Sequence, residues 1–409
     1  MIAEEILLEN YGVEMTLVVI ACRVHFKTAG KEELYDFIQR HDINWGQVLT
    51  ICRKHSIRPL VYPVIAGAVI PKEIAEKIQI EFMRITRRNV LQSKETERII
   101  TLLGQNGITV IPYKGTAFSM QWYGNINFRE CSDIDFIIQP TDLKKIIHLM
   151  QKDGYIPEAS MEFDYLGNKF FKYYKEFNFN KKVDLQTSFH VEFQWSIAED
   201  QLRVRNASKH LLNHTESKLY LVNREVNALN RDAHYMAILL HHSVKDVFRS
   251  LKLVIDLSQA SCIHQTMKAP EWEFIQVQAK QIGLDKALSM SSYLGSALFG
   301  VLLYDNKYPL NSKDKKHFLD QCLTDNVLKG NEITNRKLFV SRILLRDNWL
   351  EKLKFIHGFI VYRFIPTVVD FRIMRLPHGL FFLYHFWKPF RSLIRPTNPE
   401  EERKRIFQN

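Results

Sequence analysis

The residues with the clearest chemical potential are Ser132-Asp133-Ile134-Asp135-Phe136. On a strand, residues two apart point to the same face, so Asp133 and Asp135 would project together while Ile134 and Phe136 face a core. Two carboxylates this close repel each other unless a cation lies between them. Magnesium carrying a nucleoside triphosphate suits such a pair, because it takes one or two carboxylates plus phosphate oxygens. Upstream stands Tyr113-Lys114-Gly115-Thr116. A glycine there lets the backbone approach phosphate, helix-start N–H groups bind anions, and Lys114 and the Thr116 hydroxyl add donors. A two-metal site also needs a third carboxylate, to bind the second ion or accept a proton. Two candidates carry apolar flanks: Glu192 in Val191-Glu-Phe193 and Asp184 in Val183-Asp-Leu185. Each feature alone has a plainer reading. An isolated D-x-D is common on solvent faces, and Gly-Thr is also an ordinary strand-to-helix turn.

Further along, His241, His242 and Lys245 fall in a helical stretch, where positions 242 and 245 share a face. They could line a nucleotide or acceptor cleft, or serve the helix core. Asp256 ends an apolar run and could orient its neighbours.

The elements that must position these groups follow from periodicity. A helix is expected from Val90 to Gly104, then a buried strand over Ile108–Tyr113. A helix begins near Gly115, and Ile134–Ile138 is a second strand. Thr141 is placed to cap a helix whose face is Leu143, Ile146, Ile147 and Met150, and Gly154 is placed to stop it. Phe163 to Trp195 reads as two or three more strands, whose Phe and Tyr side chains fill a sheet core or stack a base. The partition expected is an N-terminal helical region (1–88), an α/β core with a mixed sheet (89–200), a helical domain (201–350) and a basic aromatic C-terminal segment (351–409).

Composition is that of a globular protein, with 46% hydrophobic and 25% charged residues. Five scattered cysteines form no C-x-x-C pair, so no zinc knuckle or disulfide framework is indicated, and reduced thiols in a cytoplasm fit. No uncharged apolar run reaches the ~18 residues of a spanning helix. The net charge of +11 favours polyanions: nucleotides, nucleic acid or an acidic membrane surface. Asn335 to Asn409 holds fifteen Lys and Arg against six Asp and Glu, most of that excess. There Phe381-Phe-Leu-Tyr-His-Phe-Trp387, with Lys388, Arg391 and Arg395, has two readings. It is a docking helix covering the helical domain, or a peripheral membrane contact with cations near lipid phosphates.

The order of strand, glycine turn, D-x-D strand and later acidic strand resembles nucleotidyltransferases of the DNA polymerase beta type. Their signature is hydrophobic-Gly-Ser, a gap, then D-x-D or D-x-E. Here Lys-Gly-Thr replaces the usual turn, and the gap from Thr116 to Asp133 is longer. Those departures resemble a bacterial family of uncharacterised nucleotidyltransferases. It reads hydrophobic-Lys-Gly, Tyr, Arg and D-I-D, matched by Lys114-Gly115, Tyr123, Arg129 and Asp133-Ile-Asp135. Its acidic-Leu-His-Trp strand resembles Glu192-Phe-Gln194-Trp195, with Gln194 in place of His. Its His-x-x-Lys-His stretch resembles His242-Ser-Val-Lys245-Asp246, with Asp246 in place of the second His. Pro366, Asp370, Leu376-Pro377, Leu383-Tyr384 and Lys388-Pro389 follow the order of its terminal motifs, so the likeness runs over roughly residues 35 to 395.

The resemblance implies a polymerase beta-like core and transfer of a nucleoside monophosphate from an NTP to an acceptor hydroxyl, with pyrophosphate released. It implies two Mg2+ ions on Asp133, Asp135 and Glu192, and favours Glu192 over Asp184. It also implies triphosphate contacts from Lys114, Gly115, Thr116 and Arg129, with His242 and Lys245 beside the nucleotide or acceptor. The acceptor stays open among a sugar phosphate, a small metabolite, tRNA and a protein. The competing expectation is a non-catalytic nucleotide- or nucleic-acid-binding protein of the same fold.

Overall fold

The computed structural model describes residues 1–185, 187–197, 217–261, 271–303, 308–324 and 335–394. Its centre is a five-stranded mixed sheet of β1 (Ile111–Pro112), β2 (Ile134–Ile137), β3 (Ile156–Pro157), β4 (Glu176–Lys182) and β5 (Ser188–Gln194), in the order β1-β2-β5-β4-β3. β2 runs parallel to β5, and the other pairings are antiparallel. Alternation explains the buried face. Phe177 and Phe179 on β4, and Phe189, Val191 and Phe193 on β5, are buried at every second position. Phe136 stacks on Phe193 with ring centroids 5.4 Å apart. The Leu143–Lys152 helix lays Leu143, Ile146, Ile147 and Met150 on that core.

Several elements differ from the sequence expectation. The helix expected from Val90 begins at Lys72 and runs unbroken to Gly104, straight through the proposed boundary at residue 88. Thr141 lies in a 3-10 turn (Pro140–Asp142) and does not cap the following helix. Residues 160–173 form short helices, Ser160–Leu166 and Phe170–Tyr173, not a strand. Phe163, Leu166 and Phe170 are spaced three and four apart, a helical period hidden by the surrounding aromatics. Phe163 packs edge-on against Phe170 at 5.3 Å and Phe177 at 6.1 Å, so these rings belong to the sheet core. A hairpin of β6 (Ser217–Tyr220) and β7 (Glu225–Ala228) interrupts the region expected to be helical, and Glu97 accepts the Val222 and Asn223 amides of its turn at 2.9 and 2.8 Å.

A second core joins the N-terminal helices to those after residue 230. Arg23 Nε donates to the Leu298 carbonyl at 2.8 Å, and the Thr28 hydroxyl to that of Phe299 at 2.5 Å. The regions separated as 1–88 and 201–350 therefore pack as one helical body.

The C-terminal segment divides: Phe355 packs in the helical body, whereas Phe371, Phe381 and Tyr384 are buried against the sheet core. Lys388 and Arg391, which the alternative membrane reading would set near lipid phosphates, point inward. Lys388 donates to the Tyr362 carbonyl, and Arg391 pairs with Asp370 at 2.6 Å. Arg395 lies outside the described residues. Among the described residues, no helix is long and apolar enough to cross a membrane.

Candidate active site

The parallel register of β2 and β5 sets Asp135 directly beside Glu192. Asp133 stands one residue before β2, and the strand repeat turns it to the same side. Carboxylate oxygens of Asp133, Asp135 and Glu192 all lie within 4.8 Å of one another. Asp184 is elsewhere: it sits exposed in the β4–β5 turn, where it accepts the Thr187 amide at 2.6 Å.

Gly115 is required at the turn before the Gly115–Tyr123 helix. Its φ is +56°, and a Cβ there would stand 3.0 Å from the Asp133 carbonyl oxygen. A side chain at this position would push directly on the D-x-D segment. Thr116, in the first turn of that helix, is buried.

Polar side chains hold the acids in place. Asp135 Oδ1 accepts from Lys114 Nζ at 2.8 Å and Gln194 Nε2 at 2.9 Å. The same Gln194 amide donates to Glu192 Oε2 at 2.8 Å, and its carbonyl accepts the Tyr113 hydroxyl at 2.6 Å. His190 Nε2 lies 3.3 Å from Glu192 Oε1, while its Nδ1 lies 2.8 Å from Asn180 Oδ1. Asp135 Oδ2 is buried and has no hydrogen-bond partner among the described residues. A buried carboxylate oxygen costs free energy unless something satisfies it. The donor set is three hard oxygen ligands, which suits magnesium.

The electrostatics express the same crowding. Burial raises the Asp135 carboxyl to about 7; Lys114 opposes this, and the charges of Asp133 and Glu192 add to it. Burial also works against ionised Glu192, but the His190 hydrogen bond and the charges of Lys114 and Lys245 prevail and hold it below the usual range. Burial disfavours the Lys114 ammonium, yet Asp135, Tyr113 and Glu192 keep it well above its ordinary value. Burial lowers Lys245, and the neighbouring charges of Lys175 and Lys114 lower it further. Lys114 and Lys245 thus act directly on the acids, while Lys175, paired with Glu176 at 2.8 Å, adds its charge at Lys245, a cationic field that suits a triphosphate.

Arg129 and His242 face a different partner. Arg129 Nε lies 3.2 and 3.0 Å from the two carboxylate oxygens of Asp256, His242 Nε2 3.0 Å from one of them, and the Tyr123 hydroxyl donates to the same carboxylate at 2.9 Å. Asp256 is thereby held below the usual carboxylate range: burial alone would raise it, but Arg129 and His242 outweigh burial. His242 lies within a turn of π-helix geometry, Leu240–Lys245, and next to it His241 Nδ1 lies 3.2 Å from Asp246 Oδ2.

A model of the family described as "Uncharacterised nucleotidyltransferase" matches residues 41–300. The chain belongs to that family. No curated protein and no solved structure matches it. Membership in this nucleotidyltransferase family gives the chain a general nucleotidyl-transfer role. The match contains every residue of the acid cluster, the Lys114-Gly115-Thr116 turn and the Asp256 node. The terminal motif likeness from Pro366 to Pro389 lies beyond it.

Sequence reasoning overlooked most of the side chains that hold the acid cluster in place. The signal was present in β5, where His190, Glu192 and Gln194 alternate with Phe189, Val191 and Phe193 and so share one face. Lys175 and Tyr113 carried no such signal, because their relation to the acids arises only through strand pairing and burial.

Proposed function

We propose that the protein transfers a nucleoside monophosphate from an NTP to an acceptor hydroxyl, with Asp133, Asp135 and Glu192 as the metal-binding acids. The observation that carries this reading is the convergence of three carboxylates around the partnerless, buried Oδ2 of Asp135. Divalent magnesium, when bound by these acids, would supply charge neutralisation at the α-phosphoryl group. Lys114, with Lys245 and Lys175 near it, would attract and hold the triphosphate. Gly115 and Thr116 would present the first N–H groups of the Gly115–Tyr123 helix to the β- and γ-phosphates. Gln194 and His190 would fix Asp135 and Glu192, so the acids need little reorganisation when substrate arrives. The acceptor oxygen forms the new phosphoester bond as the bond to pyrophosphate breaks, and the hydroxyl proton leaves to solvent. Arg129 and His242, engaged by Asp256, would act by positioning the segment that leads into Asp133.

With Mg2+, each labelled nucleoside triphosphate in turn and a cell extract as acceptor source, purified protein is expected to release pyrophosphate and label one extract component. Saturable triphosphate binding with no labelled product would instead support a non-catalytic nucleotide-binding protein.

A further inference from the structure

A cleft of about 870 Å³ is lined on one side by Ser132, Thr187 and Ser188, next to the strand segments that carry the acids. Ser132 donates to Asp133 Oδ1 at 3.0 Å, so the cleft reaches the residue next to the first proposed catalytic acid, although the three acids themselves lie outside its lining. The opposite wall is strongly basic. Arg84, Arg87 and Arg88 come from the Lys72–Gly104 helix at i, i+3 and i+4, hence from one face. Arg53 and Arg58 face them from the N-terminal helices. Arg53 and Arg58 share Glu81, at 2.6 and 3.1 Å, and Arg58 also binds Glu130 at 2.7 Å. Arg88 is 3.9 Å from Glu130 and leaves 43% of its side chain exposed. Among the described residues, Arg84 has no carboxylate partner. The lysines at the proposed triphosphate position, Lys114, Lys175 and Lys245, line no part of this cleft.

We infer that this arginine-walled cleft is the acceptor site, and that the acceptor carries phosphate groups. The inference rests on the nucleotidyl-transfer reading for the word acceptor, but the anion site stands on its own residues. Guanidinium groups bind phosphate oxygens in bidentate fashion, and a row of them on one helix face matches a ligand with more than one phosphate oxygen. The volume suits a small phosphorylated molecule, and the open mouth admits the end of a nucleic-acid strand. An uncharged protein side chain would leave Arg84, which has no carboxylate partner among the described residues, without a counter-charge.

The test uses full-length protein, a fluorescein-labelled short RNA and ribose 5-phosphate as competitor, with Mg–ATP binding measured separately by calorimetry. Arg84→Glu/Arg87→Glu is expected to weaken RNA binding about tenfold or more and to flatten its salt dependence. Its Mg–ATP affinity should stay at the wild-type value. Asp135→Asn should show the reverse, losing Mg–ATP and keeping the RNA. Displacement of the RNA by ribose 5-phosphate identifies small phosphates as the ligand source; its failure identifies the strand. Undiminished binding by the arginine variant overturns the cleft assignment, whatever happens to Mg–ATP. A wild type that binds RNA at this cleft but never Mg–ATP leaves the cleft standing and removes the transfer reading.

An independent observation concerns the C-terminal segment. The Tyr384–Ile394 helix is turned inside out, with Tyr384, Lys388 and Arg391 buried. Its outer stripe is Phe386 (72% exposed), Phe390, Leu393 (76%) and Ile394. The Trp349–Tyr362 helix exposes Leu350, Leu353 and Ile360 on one stripe, and the Phe364 carbonyl just after it lies 2.8 Å from His385 Nδ1. The end of the Trp349–Tyr362 helix therefore meets the start of the Tyr384–Ile394 helix. Over residues 349–394, both acids, Glu351 and Asp370, are buried, whereas Arg363 and Arg375 are exposed and Lys352 and Lys354 partly so.

The geometry points to a second site, a surface that seats on an anionic lipid bilayer. An exposed apolar stripe on a segment whose described acids are buried and whose Arg363 and Arg375 are exposed has the character of an interfacial surface, and a second copy of it would set those cations against each other. Wild-type protein is expected to sediment with phosphatidylglycerol-containing vesicles and far less with pure phosphatidylcholine. Phe386→Ser/Phe390→Ser should lower that partitioning about tenfold with an unchanged thermal midpoint, since both rings are exposed. Wild-type protein left in the supernatant, or a variant that sediments equally, overturns the proposal. So does a concentration-dependent dimer that the variant loses in the absence of any vesicle binding.

Discussion

Asp135→Asn is expected to reduce pyrophosphate release by at least ~10³-fold while leaving the chain folded, a loss on the scale of removing preorganised charge stabilisation from an active site. The amide preserves shape but cannot supply the anionic oxygen that Lys114 and a divalent ion both require. Stability should move the other way, because the native state crowds this carboxylate against two others inside a buried pocket. The sign follows from linkage. Burial raises Asp135 to about 7 in the fold, above its unfolded value of 3.8, so between those pH values the native state holds a proton that the unfolded state has lost. Stability contributed by this group is full below the unfolded value and falls as pH rises through the folded one, by up to about 1.4 kcal/mol per pH unit. Thermal midpoints of both proteins in EDTA at pH 5 and pH 7 test this. The wild type should lose more than the variant across that interval, and added Mg2+ should restore only the wild type. Equal pH slopes, or a variant within tenfold of wild-type turnover, would sink the assignment.

Asp256→Ala carries the second large expected effect, this time on the fold. Asp256 is buried and accepts from Arg129, His242 and Tyr123, so its removal strands a guanidinium and an imidazole away from water. Breaking a buried ion pair from one side costs roughly 3–5 kcal/mol. The carboxyl is held below its ordinary value, so its contribution is present above the unfolded value and lost as pH falls through the folded one. Urea unfolding at neutral pH should therefore show the full deficit. Arg129→Met/Asp256→Leu, which removes both charges together, should recover most of it. If that folded double variant still binds Mg–ATP, Arg129 acts through position. Loss of Mg–ATP by the double variant at wild-type stability would instead assign Arg129 to the phosphates.

What the sequence disclosed and what it concealed divide along physical lines. The D-x-D pair, the glycine turn and Glu192 were legible because strand alternation and backbone conformation are local rules written in neighbouring residues. The competition between Glu192 and Asp184 was not, since both have apolar flanks; only the fold puts one beside Asp135 and the other in an exposed turn. Arg129 looked suited to phosphate because charge and order are all a sequence displays, whereas Asp256, its partner, lies 127 residues further on. The arginine face of the Lys72–Gly104 helix escaped notice for a related reason. Arg84, Arg87 and Arg88 look like any solvated helix surface until a cleft forms in front of them.

That helix has 33 residues and is about 50 Å long. Along one rod it grips the N-terminal helices through Glu81, the segment leading to the acids through Asn89, and the sheet through Glu95, which accepts the Tyr155 hydroxyl. No break in this helix separates its contacts with the two cores. Rocking them together would require bending a continuous backbone hydrogen-bond ladder. Under the transfer reading proposed above, the frame braced by this helix would set the span between the triphosphate pocket and the arginine cleft, and so the size of what can be joined.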